Sequence, residues 1–201
     1  MRGASAALVD FDLDGDLDAY VGEYEGGEWL ARNDEGHFTG IRLSEGAVGW
    51  SPWSGAWGDA DGDGDLDLYV SNRPSDIEPP AVLAGTSYGI GNYLYINGGP
   101  GVFTRDASRI PQDDNWGITF HSVWVDWDRD GDLDIYEAND WGHYVVPNRL
   151  LLNDGSGRFT ADPTRHCDVP MYGMGAAVGD VEGDGWPDLY VTDIGSPDLL
   201  G

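Results

Sequence analysis

The feature that most constrains this chain is a nine-residue acidic loop that occurs four times. Its clearest copy is Asp59-Ala60-Asp61-Gly62-Asp63-Gly64-Asp65-Leu66-Asp67, with an aspartate at every odd position and a glycine at the sixth. The first copy is Asp10-Phe11-Asp12-Leu13-Asp14-Gly15-Asp16-Leu17-Asp18, and the third is Asp126-Trp127-Asp128-Arg129-Asp130-Gly131-Asp132-Leu133-Asp134. The fourth is Asp180-Val181-Glu182-Gly183-Asp184-Gly185-Trp186-Pro187-Asp188. Their starts lie 49, 67 and 54 residues apart, the span of one supersecondary unit per repeat. Carboxylates packed this closely repel one another unless something neutralises them. A hard dication does so: Ca²⁺ takes roughly six to eight oxygen ligands, and the glycine allows the turn that wraps the chain around it. A solvated acidic loop is the alternative for one copy alone.

The flanks repeat as well. Small and apolar residues precede each loop, as in Gly55-Ala56-Trp57-Gly58 and Ala176-Ala177-Val178-Gly179, and a strand-like run follows, as in Leu68-Tyr69-Val70 and Leu189-Tyr190-Val191. Two short strands joined by a tight, glycine-containing loop make a hairpin. In three repeats two more strand signals follow, Glu28–Asn33 with His37–Gly40, Asn92–Asn97 with Gly101–Thr104, and Asn148–Asn153 with Gly157–Thr160, each pair separated by good turn residues. Each repeat thus reads as four antiparallel strands, A to D, with the acidic loop between A and B. No stretch sustains a 3.6-residue apolar period, so helix should be scarce.

The expected fold is all-β, with blade-like four-stranded units over about 4–45, 50–108 and 118–165 and a shortened fourth over 172–201, about three and a half units in one domain, 1–201. The chain ends where strand C of the fourth repeat is due. The long second interval comes from a Pro- and Gly-rich B-to-C connection, Arg73 to Gly91, and a shorter aromatic segment, Asp140–Tyr144, holds the same place in the third repeat. Such connections lie on a surface and can carry a binding site.

Composition narrows the partners. A formal charge of −27 from 37 acidic residues argues against nucleic acid and anionic membranes. Nine Trp, ten Tyr and five Phe argue against disorder, which goes with few aromatics. A single cysteine, Cys167, rules out an internal disulfide. No apolar run approaches a membrane span, and the N-terminus runs into the first acidic loop without room for a secretory signal. That reads as a cytosolic chain or one whose true start is missing.

Four-stranded units with an Asp-rich loop between their first two strands resemble FG-GAP/VCBS repeats, the blades of the integrin-α-type β-propeller. The motif Gly55-Ala56-Trp57-Gly58-Asp59 with Asp67-Leu68-Tyr69-Val70 is similar to the branch that includes cartilage acidic protein and UnbV-type proteins, as are the Asn-flanked strand C and the Gly-x-Phe-Thr that follows it. The resemblance implies Ca²⁺ held by carboxylates at positions one, three, five and nine and by the main-chain carbonyl at seven. Those are Asp10, Asp12, Asp14, Asp18 with Asp16; Asp59, Asp61, Asp63, Asp67 with Asp65; and Asp126, Asp128, Asp130, Asp134 with Asp132. The fourth set, Asp180, Glu182, Asp184, Asp188 with Trp186, departs from the pattern through Glu182 and Pro187. Such modules bind Ca²⁺ at roughly 10⁻⁴ to 10⁻³ M, which implies an extracellular or secreted setting.

Other readings of the same residues are weaker. Glu137 gives the third loop an EF-hand's twelfth ligand, but Val21, Val70 and Val191 stand there in the other repeats and the flanks are strands, so Glu137 reads as a solvent-facing strand residue. Mg²⁺ demands stricter geometry and Zn²⁺ wants His and Cys, which show no ligand spacing here. No nucleophile elbow, phosphate loop or zinc-protease motif is present. Paired carboxylates could serve a glycosidase, but 19 of the 37 acidic residues lie in the four loops, and Asp113-Asp114 and Glu23 with Glu25 read as solvated turn charges. Most tryptophans should pack between blades, with Trp50, Trp53, Trp116 and Trp141 on loops as candidates for a sugar-stacking platform or a protein anchor. The expected function is therefore non-enzymatic recognition or adhesion toward a protein or carbohydrate. The alternatives are a substrate-binding or scaffold domain of a larger secreted or biosynthetic protein and, more remotely, a hydrolase. Open blade edges invite further blades or a second copy.

Overall fold

A computed structural model describes residues 3–46, 49–75, 91–99, 101–111, 117–164 and 166–195. The first blade is β1 (Gly3–Val9), β2 (Asp18–Glu23), β3 (Glu28–Asp34) and β4 (His37–Arg42). The second is β5 (Trp50–Gly58), β6 (Asp67–Pro74), β7 (Tyr93–Asn97) and β8 (Phe103–Arg105), followed by a short 3-10 turn at Ala107–Arg109. The third is β9 (Ile118–Val125), β10 (Asp134–Asp140), β11 (Arg149–Asn153) and β12 (Phe159–Ala161). The fourth shows β13 (Gly173–Gly179) and β14 (Asp188–Asp193), its A and B strands. Every sheet runs in sequence order with antiparallel neighbours. The first strands pack side by side, β1 on β5, β5 on β9 and β9 on β13, so the sheets radiate from a shared line of A strands. That is the arrangement of β-propeller blades.

The core lies between blades. Phe11, Tyr20 and Leu30 of the first meet Leu68, Val70 and Tyr95 of the second, and Tyr69 and Leu94 of the second meet Ile135, Leu151 and Phe159 of the third. Close approach requires missing side chains. A Cβ at Gly55 would stand 2.6 Å from the Tyr20 ring, and one at Gly58 would stand 2.6 Å from the Trp124 ring. The small residues of strand A therefore answer crowding from the neighbouring blade as well as from the axis.

Because blades cover both faces of the central B strands, β10 is buried at every position. This corrects the sequence reading of Glu137. The side chain is buried: its Oε1 accepts from the Tyr69 hydroxyl and from Asn92 Nδ2 (2.6 Å), and Oε2 faces Arg149 Nε at 3.8 Å. Arg149 stands directly opposite it in the sheet register. A buried charge persists only when paired and hydrogen-bonded; the adjoining blade supplies both hydrogen-bond donors, Tyr69 and Asn92, and the same sheet supplies the ion-pair partner, Arg149.

The tryptophans divide differently from expectation. Trp50 and Trp53 belong to β5 and not to a loop. Trp57 packs between blades as expected, stacking on Phe11 with ring centroids 6.1 Å apart, and Trp124 meets Phe159 edge-on at 5.9 Å. Trp141 does lie on the B-to-C connection of the third blade, against Tyr172 at 5.4 Å. Trp116, Asp113, Asp114 and most of the second blade's long connection lie outside the described residues.

Glu28, on the first blade, is also buried. Burial raises its carboxyl above the ordinary value, partly countered by hydrogen bonds from the Ser44 and Tyr95 hydroxyls. An acid whose folded-state pKa is raised contributes stability that is fully present below its unfolded pKa and is lost as pH rises through the folded one. Glu28→Gln should therefore gain on the wild type in melting temperature as pH is raised from 4.5 toward 7. Parallel curves across that window would refute the assignment.

Candidate metal centre

Each acidic loop closes an A–B hairpin, flanked by strands on both sides. The sixth-position glycines, Gly15, Gly64, Gly131 and Gly185, all have positive φ, between 87° and 100°. So does the fourth position, occupied by Leu13 (57°), Gly62 (72°), Arg129 (65°) and Gly183 (77°). The four loops thus share a backbone shape that two of them adopt with a non-glycine residue. A left-handed leucine costs about 1–2 kcal/mol, and glycine's extra freedom in the unfolded chain takes back about 0.5–1 kcal/mol. The net gain is about 0–1.5 kcal/mol, so Leu13→Gly should raise the melting temperature by up to about 6 °C. A lower melting temperature would mean that the loop holds no such strain.

The ninth-position aspartate organises each loop. Asp18, Asp67 and Asp134 are buried. One oxygen accepts from the backbone N–H of the loop's second residue: Phe11 (3.1 Å), Ala60 (2.7 Å) or Trp127 (3.0 Å). The other accepts from the N–H at the end of strand C: Asn33 (2.7 Å), Asn97 (2.8 Å) or Asn153 (2.8 Å). Asp188 repeats the first of these bonds, from Val181 N at 2.8 Å. Burial pushes the Asp67 and Asp134 carboxyls up to about 6, helped by the charges of Asp61 and Asp63 or Asp128 and Asp130 and opposed by the two N–H bonds.

The strand-C asparagines are a part that sequence reasoning left without a role, although their recurrence at one place in three repeats was visible. Asn97 Nδ2 donates to Leu66 O of its own loop (3.3 Å) and to Phe11 O of the first blade's loop (3.1 Å). Asn153 Nδ2 donates in the same way to Leu133 O (3.0 Å) and Ala60 O (2.8 Å). Successive loops are stitched together through these amides.

In three loops carboxylates converge. Asp10, Asp12 and Asp18 bring oxygens within 4.8 Å of one another, as do Asp59, Asp61 and Asp67, and Asp126, Asp128 and Asp130. Each trio contains one buried oxygen with no donor in the protein: Asp12 Oδ1, Asp61 Oδ1 and Asp126 Oδ1. Burial, then the charges of Asp14 and Asp18, raises the Asp12 carboxyl. The remaining expected ligands are otherwise engaged. Asp14, Asp63 and Asp130 each accept from the N–H two residues on, at 2.9, 3.0 and 3.0 Å, and Asp16 Oδ2 accepts from Glu35 N at 2.7 Å. Asp130 thus combines that bond with its place in the third trio, whereas Asp134 lies outside it. Arg109 Nη1 reaches Asp61 Oδ2 at 3.1 Å and the third blade's Ser156 O at 2.7 Å, tying the second loop to the next blade.

The fourth loop is arranged differently. Asp180, Glu182, Asp184 and Asp188 are not among the converging groups found in the described residues. Three backbone N–H groups, from Gly185, Gly183 and Asp184, wrap Asp180 and hold its carboxyl below the ordinary value. Trp186 lies under the Arg129 guanidinium, 4.8 Å from its ring centroid.

The FG-GAP-like repeat profile matches residues 10–70 and 126–191, more than half of the chain and all four loops. The chain belongs to the FG-GAP-like repeat family. These FG-GAP repeats coincide with the hairpins just described, each match beginning at the first aspartate of one loop and ending in strand B of the next repeat. No curated protein matches the sequence. Twenty-eight chains of solved structures match its structure. One is the rhamnogalacturonan lyase PL11 of Bacillus licheniformis, with a TM-score of 0.49 and 16% identity over 94% of this chain. The chain spans 39% of that structure's length. Among the described residues no helix is long and apolar enough to cross a membrane.

Proposed function

We propose that this FG-GAP repeat chain is a calcium-braced, non-enzymatic propeller segment that recognises a protein or a glycan outside the cytosol. The observation that carries the calcium reading is the trio of convergent aspartates in each of three loops, each with a buried carboxylate oxygen that no protein group satisfies. Buried carboxylate oxygens without donors are costly, and a dication removes that cost. Asp10, Asp12 and Asp18, Asp59, Asp61 and Asp67, and Asp126, Asp128 and Asp130 are the residues that would hold it. An all-oxygen donor set of flexible carboxylates favours Ca²⁺ over Mg²⁺ or Zn²⁺. Three filled sites bring the formal charge from −27 to about −21. At roughly 10⁻⁴ to 10⁻³ M, occupancy needs millimolar Ca²⁺, hence a secreted or extracellular setting.

The recognition surface best supported lies at the B-to-C end, opposite the acidic loops. There exposed Tyr144 and His143 adjoin Trp141 and the buried Tyr172, and half-buried Trp53 lies under the Arg73 guanidinium at 4.3 Å. Such aromatic faces suit sugar rings or a protein anchor. Equilibrium dialysis with ⁴⁵Ca²⁺ tests the brace, with three ions per chain expected. Binding of none, or equal affinity for Mg²⁺, would overturn it.

A further inference from the structure

One cation of the protein itself already stands at an acidic loop. Arg109, in the 3-10 turn that follows strand D of the second blade, reaches back to the second loop and donates from Nη1 to Asp61 Oδ2 at 3.1 Å. The same Nη1 donates to Ser156 O of the third blade at 2.7 Å, and Nε donates to Asp106 Oδ2 at 3.3 Å. Both Arg109 and Asp61 are mostly buried. Acceptors from the second loop, the 3-10 turn and the third blade thus hold the guanidinium in place when another cation approaches. Gly157 leaves it the space, since a Cβ there would stand 2.5 Å from Nη1.

Asp61 is therefore divided between two duties. Its Oδ2 belongs to Arg109, while its Oδ1 is buried without a donor and the residue stands in the trio with Asp59 and Asp67. The first loop is built otherwise. Asp12 holds the place of Asp61 and has the same unsatisfied, buried Oδ1. Its neighbouring guanidinium, Arg32, whose charge is felt at Asp12, pairs with Asp34 at 2.9 Å instead. Among the described residues no arginine bonds Asp10, Asp12 or Asp18. In the third repeat the residue matching Arg109 is Arg165, in Asp162-Pro163-Thr164-Arg165, and it lies outside the described residues. The first and second loops are the informative pair.

Resting on the calcium reading of these loops, we propose that Arg109 is a resident cation of the second loop. It braces that corner without metal and lowers its affinity for Ca²⁺ below that of the first loop. A unit positive charge on one oxygen of a ligand carboxylate repels a divalent ion at the other, and in a water-like dielectric this weakens binding about tenfold. Arg109 also fixes Asp61 in one orientation, but ordering one short side chain strengthens binding only about threefold. Repulsion wins. Two thresholds result: the first corner fills at lower calcium, and the second, already tied to the third blade through Arg109, fills later.

Backbone-amide NMR on the full chain separates the loops. The Gly15 N–H donates to Asp10 Oδ2 and the Gly64 N–H to Asp59 Oδ2, both at 3.0 Å, so each glycine reports its own trio. In a CaCl₂ titration the Gly15 midpoint should lie about tenfold below the Gly64 midpoint, a gap that is read in the wild type whatever the variants do. Arg109→Met keeps most of the stem and removes the charge. It should bring the Gly64 midpoint down to that of Gly15 and leave Gly15 where it was. Arg109→Lys keeps a positive charge and should preserve the gap. A merely structural Arg109 would lower stability when replaced but would not tighten the ion. Coincident midpoints in the wild type, an unmoved or raised Gly64 midpoint in Arg109→Met, or a closed gap in Arg109→Lys would overturn the assignment. No response at either glycine would instead overturn the calcium reading itself.

Discussion

In excess calcium the protein should melt about 10–30 °C higher than in chelator. The figure follows from mass action: at 10 to 100 times Kd each site adds about 1.4–2.7 kcal/mol, three sites add about 4–8 kcal/mol, and a domain of this size gains about 2–4 °C per kcal/mol. The energy acts where the fold needs it. The trios pull together the A–B corners, and those corners hold the neighbouring blades through Asn97, Asn153 and Arg109. Paired thermal melts in 10 mM CaCl₂ (about 10 to 100 times the expected Kd) and in EDTA decide it. Superimposable melts would remove calcium from the account, and an equal gain with Mg²⁺ would remove its selectivity.

Asp67→Ala should cost about 2–6 kcal/mol even in chelator, because it strands two buried N–H groups at about 1–3 kcal/mol each, and more in calcium, because Asp67 also belongs to the second trio. Those groups are Ala60 N at 2.7 Å and Asn97 N at 2.8 Å. Asp61→Asn should behave otherwise. Asp61 Oδ1 has no donor in the protein, so the variant should lose about one site's worth of stability, about 1.4–2.7 kcal/mol, in calcium, on top of a smaller loss under both conditions from the weakened Arg109 contact at Oδ2. Denaturant unfolding of both variants, with and without calcium, separates the aspartate that builds the loop even without the ion from the aspartate that acts mainly through it. Equal losses for Asp61→Asn under both conditions would show that it too is structural.

The blades were legible because their signals are local and repeated. Alternating aspartates with a sixth-position glycine specify a tight turn four times over, and strand signals on either side make each one a hairpin. The site residues were legible as a set but not as roles. Positions one to nine read alike in sequence, yet position nine is a buried anchor for two backbone N–H groups in three repeats, and position five in each loop caps a local turn. Nothing in an alternating pattern tells which carboxylate turns inward.

Glu137 shows why the remainder was hidden. As one acidic residue in a strand it reads as solvent-facing, the usual state of glutamate. Its burial depends on Tyr69 and Asn92 of the preceding blade, 68 and 45 residues away, and on Arg149 across the sheet. Trp50 and Trp53 were misplaced for a related reason: β5 extends further toward the B-to-C end than its apolar run suggests, with Ser51, Pro52 and Ser54 paired along β6. By itself the sequence determined the repeat, the hairpin corner and the oxygen chemistry gathered there, since these depend on residues within nine positions of one another. Only the tertiary structure decided which side chains face the next blade and which carboxylates are satisfied. Those outcomes are set by surfaces that meet only when the blades stand side by side.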